Sequence, residues 1–282
     1  MIAAWWTWSH WIAAWRATEA SVWLVLVLTA APYIWGLSRL WRRAGRGRGI
    51  SGWRAVSYGT GVAVLALALA SPLDLMADGI FAAHMTQHLL LIAAVPPLLI
   101  AGNPLIAFAW LGRIARWQRG VHAVQRVGRT FTAPIVALLA NTAALWAWHS
   151  PALYQLALRR PAVHAAEHAS LLITALLVWY SAMRPQGRRR DGYAMGMLLM
   201  FATAMQSGAL GALLVTARAP WYHAGSTAAA TLGLTPLADQ QLAGLIMWIP
   251  GGAIYTLAAC ALFFAWFART PVTLAATLEL QQ

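Results

Sequence analysis

The sequence predicts an all-α protein, a polytopic membrane bundle of seven transmembrane helices with its N-terminus outside and its C-terminus cytoplasmic. Three observations carry that expectation. Hydrophobic residues make up 61% of the 282 positions against 10% charged, and the mean hydropathy of +0.62 lies well beyond that of a soluble domain. Seven apolar runs are each about long enough to cross a bilayer, and the arginines between them alternate from one side to the other.

In chain order, residues 1–19 come first as a Trp-rich segment. Trp5, Trp8, Trp11 and Trp15 recur at three- and four-residue steps, which lines them along one stripe of an interfacial helix at the outer surface. The segment has neither a basic n-region nor a small-residue cleavage site, so a removable signal peptide is not expected. Residues 20–268 form the membrane domain, with spans at Ala20 to Leu40, Val56 to Ala70, Ile80 to Ala101, Phe131 to Trp148, Ala162 to Met183, Tyr193 to Thr216 and Leu242 to Ala268. The second is only marginally long enough at about 1.5 Å per residue. Residues 269–282 are the cytoplasmic tail.

The connections set the orientation. Arg39, Arg42, Arg43, Arg46, Arg48 and Arg54 fall in the first, Arg113, Arg116, Arg119, Arg126 and Arg129 in the third, Arg184, Arg188, Arg189 and Arg190 in the fifth, and Arg269 in the tail. Sixteen of twenty arginines thus share one side, which the positive-inside bias makes cytoplasmic. The formal charge of +13 would point to nucleic acid in a soluble protein; here it is spent on lipid head groups, and no nucleic-acid partner is expected. The single cysteine, Cys260, excludes a disulfide framework and a Cys-x-x-Cys clasp, so any metal must be held by histidine, methionine or carboxylate.

Prolines interrupt two spans. Pro96-Pro97 falls within the third, which Gly102-Asn103-Pro104 ends, and Pro250-Gly251-Gly252 is expected to interrupt the seventh. Freed carbonyls at such points need partners in hydrocarbon, and bent helices can open a cavity.

The polar residues left inside these spans carry the functional signal. His84-Met-Thr-Gln-His88 and His164-Ala-Ala-Glu-His168 each set two imidazoles four residues apart, about 40° around a helix, so both rings of a pair can reach one ion. The orientation brings both pairs near the outer face, with His149 at the mouth of the fourth span; His10 and His223 also fall outside, and only His122 inside. Neutral imidazole suits copper, zinc, iron and nickel. Glu167 can ligate or orient a ring, and Asp239 with Gln240 and Gln241 brings an acid and two amides to the same layer. Met85, Met205 and Met247 lie at comparable depth, and a thioether beside imidazole favours Cu(I). The His164-x-x-Glu167-His168 string matches an inverted zinc-protease pattern, but that chemistry also needs a further acidic ligand and a water-filled cleft, and of the acids that follow, Asp191 and Glu279 lie on the cytoplasmic side, which leaves Asp239 alone. Di-iron hydroxylases use more histidine boxes. Facing histidines could instead ligate a b-type haem.

Three stretches resemble a known family: HMTQHLLLIAAVPPLLIAGNPL from His84, WHSPALYQLALRRPAVHAAEHASLLITALLVWY from Trp148, and DQQLAGLIMWIPGG from Asp239. Together they are similar to the seven-span CtaG-type cytochrome c oxidase assembly factors associated with caa-type oxidases. The resemblance implies a multi-pass protein of the bacterial plasma membrane that helps build a haem-copper oxidase and has a part in copper delivery. Passing an ion by ligand exchange breaks no substrate bond, so an enzyme is not expected. The partners it implies are the oxidase subunits and copper donor proteins. Carried onto this chain, the motif residues are His84, His88, His149, His164, Glu167, His168 and Asp239. With the depth of the methionines, the expected metal set is His84, His88, His164, His168 and His149, with Glu167, Asp239, Met85 and Met247 at its mouth or behind the rings. Three alternatives remain open: a haem-binding or electron-transfer membrane protein, a metal permease, and a chaperone whose histidines only pack. An unrelated single-span copper protein that shares the family's name works through cysteines; this chain, with Cys260 alone, has no such thiol pair.

Overall fold

A computed structural model describes residues 7–112, 132–183, 190–222 and 226–268, and all of its regular structure there is helical. The helices are α1 (Trp8–Ala17), α2 (Ala20–Ala44), α3 (Gly52–Leu69), α4 (Pro72–Ala77), α5 (Phe81–Leu89), α6 (Val95–Ala101), α7 (Pro104–Gly112), α8 (Pro134–Trp148), α9 (Pro151–Arg159), α10 (Pro161–Met183), α11 (Arg190–Thr216), α12 (Ser226–Thr231) and α13 (Pro236–Phe267). Six of them start on proline, whose missing N–H falls where a helix has no use for it and whose fixed φ suits the first turn. Ser71 and Thr235 add side-chain caps to α4 and α13, accepting from the Leu73 and Ala238 amides at 3.1 Å.

Among the described residues, six helical stretches are long and apolar enough to cross a membrane: Ala20–Ala44, Gly52–Leu69, Phe81–Ala101, Pro161–Met183, Gly192–Thr216 and Pro236–Phe267. The expected fourth span is the shorter apolar helix Pro134–Trp148, whose expected start at Phe131 lies outside the described residues. The arginines expected at 113–129, Arg184, Arg188, Arg189, Arg269, His122 and His223 also lie outside them.

The third span is built in three parts, α5, a wide π-helical turn at Leu90–Ala94, and α6. Its cause is Pro96, which lacks the amide that would bond Ile92 and whose ring crowds that carbonyl. The freed Ile92 oxygen accepts instead from the Trp179 indole at 2.9 Å and from the Tyr255 hydroxyl at 3.4 Å, so α10 and α13 supply what the proline removes. In the seventh span the expected interruption is absent: α13 runs unbroken through Pro250, which sits on its outward face. A proline there leaves the packed face free to hold the helix together.

Two apolar cores result. One gathers α2, α3, α6 and α7, where Tyr33 and Tyr58 stack at 3.7 Å and their hydroxyls donate to the Gly102 and Thr29 carbonyls at 2.8 Å. The other joins α5, α8, α10, α11 and α13. Its tightest seam is α11 against α13, where Gly211 and Gly244 meet backbone to backbone. A Cβ on either would stand 2.8 Å or 2.7 Å from the other's carbonyl oxygen. This second core holds the two histidine pairs.

Candidate metal centre

Helices α5 and α10 both enter this core from the end where α8 finishes, so the first turns of each lie side by side. On α5, His84 and His88 point inward together, with ring centres 4.3 Å apart. On α10, His164 and His168 do the same at 4.2 Å. Across the gap His84 faces His164 at 5.4 Å in a stacked arrangement, and His88 meets His168 edge-on at the same distance. His149, just past the end of α8, brings a fifth ring to 5.7 Å from His88.

Glu167 sits among them. Its Oε1 lies 3.5 Å from His88 Nε2 and 3.7 Å from His84 Nε2, too far for a good hydrogen bond. Both of its oxygens are buried without a hydrogen-bond partner, as are both nitrogens of His88 and the Nε2 atoms of His84, His164 and His168. Among the described residues, two sets of three ligand atoms lie within 4.8 Å of one another: His84, His88 and His168, and His84, His164 and Glu167. Tetrahedral ligands bound at about 2.0–2.1 Å stand roughly 3.3 Å apart, so a modest inward rotation of these side chains would close a shell around a cation. Imidazole nitrogens and carboxylate oxygens converge here without a hydrogen bond among them, and the lone pairs on the carboxylate and on one nitrogen of each neutral ring are free for a cation.

Aromatic rings cover one side of the cluster. Tyr154 stands 5.2 Å from His84, and Phe81, Tyr154 and Tyr222 contact one another at 4.4–5.0 Å. Neither the periodicity nor the histidine spacing signalled this cover, because Tyr154 belongs to the short helix α9 and Tyr222 to a connecting segment.

The remaining expected residues separate. Asp239, expected at the mouth of the site or behind the rings, accepts through its carboxylate from the Phe81 and Ala82 amides at 2.8 and 2.9 Å, capping the helix that carries His84 and His88. Gln240 accepts from the Trp221 amide at 2.6 Å, and Gln241 reaches the Ala217 carbonyl at 3.4 Å, so both tie connecting backbone to α13. Among the methionines, Met85 is buried with its Sδ 3.1 Å from His149 Nε2, and Met247 is packed in the core. Met205, expected at the same depth, faces outward and is 57% exposed. His10 lies away in α1, within reach of Thr7.

A family model described as cytochrome c oxidase caa3 assembly factor (Caa3_CtaG) matches residues 31–269, nearly the whole of the membrane domain. No curated protein and no solved structure matches the chain.

Proposed function

This chain belongs to the cytochrome c oxidase caa3 assembly factors, and from that premise we propose that it binds copper transiently between α5 and α10 and passes it to an unfinished oxidase subunit. His84, His88, His164 and His168 hold the ion, Glu167 balances its charge, and His149 with Met85 lies on the flank. The arginine bias supports an orientation that opens this end of the bundle to the outer face of the bacterial plasma membrane. Copper donor proteins would load it there, and lipid surrounds the rest. Transfer is ligand exchange, in which no substrate bond is broken, so the protein is not read as an enzyme.

One observation carries this reading: a fully buried carboxylate stands among four imidazoles with none of the converging atoms hydrogen-bonded. A lone carboxylate in such a place is costly by several kcal/mol, and a cation shared with neutral imidazoles offsets that cost. A haem fits less well. Its macrocycle would have to slide between His84 and His164, or between His88 and His168, rings that already touch across the helices. A permease would need to move copper across liposomes with no oxidase present.

The test uses cells that make the oxidase. Replacing the chain by its His84→Ala/His88→Ala form should leave oxidase protein in the membrane but lower its copper content and activity at least several-fold. Oxidase with full copper and activity beside the double variant would remove the delivery role, and a Soret band in the purified chain would favour haem.

A further inference from the structure

We infer that Met85 and His149 form a second, softer ligand pair on the flank of the histidine–glutamate cluster, and that this pair makes the site prefer monovalent copper over divalent ions. The inference rests on the copper-binding reading above and adds the ion's oxidation state to it.

The argument starts at the end of α8. His149 Nδ1 lies 2.7 Å from the Leu145 carbonyl, and a carbonyl can only accept, so Nδ1 carries the proton. In the neutral ring that leaves a bare lone pair on Nε2. This atom faces Met85 Sδ at 3.1 Å, and a thioether has no hydrogen to donate. Two acceptors therefore meet with nothing between them, at 5% and 1% exposure. The contact is held from both sides: the His149 carbonyl accepts from the Tyr222 hydroxyl at 2.6 Å, and Met85 follows His84 on the Asp239-capped helix.

Such a pair needs a shared electrophile. A second proton on His149 would place an imidazolium beside His88, amid a cluster that already contains buried imidazoles. A soft cation instead accepts both lone pairs, and thioether with imidazole is a donor set that selects Cu(I). The carboxylate set of His84, His164 and Glu167 is harder and suits borderline divalent ions. Met85 thereby decides which ion is kept.

The experiment takes the full-length detergent-purified protein, without oxygen, as wild type and Met85→Leu, each in a Cys260→Ser background so that the one thiol is absent. Cu(I) affinity is read by competition with a bathocuproine chelator, Co(II) affinity by its visible spectrum, and the copper ligands by X-ray absorption. Met85→Leu should weaken Cu(I) by about tenfold or more and leave Co(II) within about twofold, and the sulfur scatterer seen on copper with Met85 present should vanish. Equal losses of both ions, an unchanged Cu(I) affinity, or copper with only nitrogen and oxygen neighbours would each overturn the inference. The absorption spectrum of the protein retaining Met85 decides the matter even if Met85→Leu does not fold. A wild type that takes up neither ion would sink the copper reading itself, whereas Cu(I) bound without sulfur would sink only this inference.

Discussion

Glu167 shows what a single residue can reveal in an apolar chain. In sequence it is one acid between two histidines, equally able to ligate or to steer a ring; the fold puts it at 0% exposure between His84 and His88, its oxygens unmatched. Asp74 makes the contrast. It lies on the short helix α4 outside the spans, accepts from the Gln87 amide at 2.6 Å, and burial raises its carboxyl from the usual range to about 6. The Gln87 hydrogen bond works against that rise, while Asp78 and Glu19 add to it. The folded protein therefore holds a proton that the unfolded chain releases between about pH 4 and pH 6, and stability falls as pH rises through that window. Asp74→Asn keeps an oxygen for Gln87 and removes the titration. Other groups titrate alike in both proteins, so the difference is what thermal unfolding in detergent should show: Asp74→Asn gains on wild type from pH 4 to pH 6 and is ahead by up to about 3 kcal/mol above pH 6. Parallel profiles for the two proteins would show that burial of this carboxylate costs nothing.

At the scale of the helix, position along a span is legible in sequence and direction around it is not. The four-residue spacing placed each histidine pair on one face because that follows from helix geometry alone. Met85, Met205 and Met247 share a depth by the same counting, yet Met85 meets His149 while Met205 looks outward, since only neighbouring helices decide which face is inner. Pro96 announced a break, but its remedy, the Trp179 and Tyr255 hydrogen bonds to Ile92, comes from residues 87 and 163 positions away. Asp239 is the strongest case. Its place in the first turn of the last span reads as a site residue, and the structure adds what that spacing does not carry, a cap on α5, 158 residues earlier. Two charge-assisted bonds at a helix N-terminus are worth about 1–3 kcal/mol together. Asp239→Ala should lower the melting temperature accordingly and loosen the histidine pair on α5, with Asp239→Asn intermediate; a melting temperature equal to wild type would show the cap to be dispensable.

Over the whole molecule, the alternation of apolar runs and arginine-rich connections was enough to set the class, because a bilayer permits few solutions for a chain this hydrophobic. It could not show that the third span folds in three parts or that the seventh runs straight through Pro250. The bundle divides its labour accordingly. One core, with α2, α3, α6 and α7, is apolar packing with tyrosine hydroxyls satisfied on carbonyls; the other is closed by the glycine seam of α11 and α13 and surrounds a polar cluster left without partners. A bundle that needed only to pack would have little reason to keep such a cluster, since replacing it with apolar side chains of similar volume would be neutral or stabilising. The most direct measurement is metal content. The full chain, purified in detergent, exposed to Cu(I) and stripped of unbound ion, should carry about one copper per molecule as wild type and as Asp74→Asn, and fall to background as His84→Ala/His88→Ala. Equal copper in all three would contradict the account.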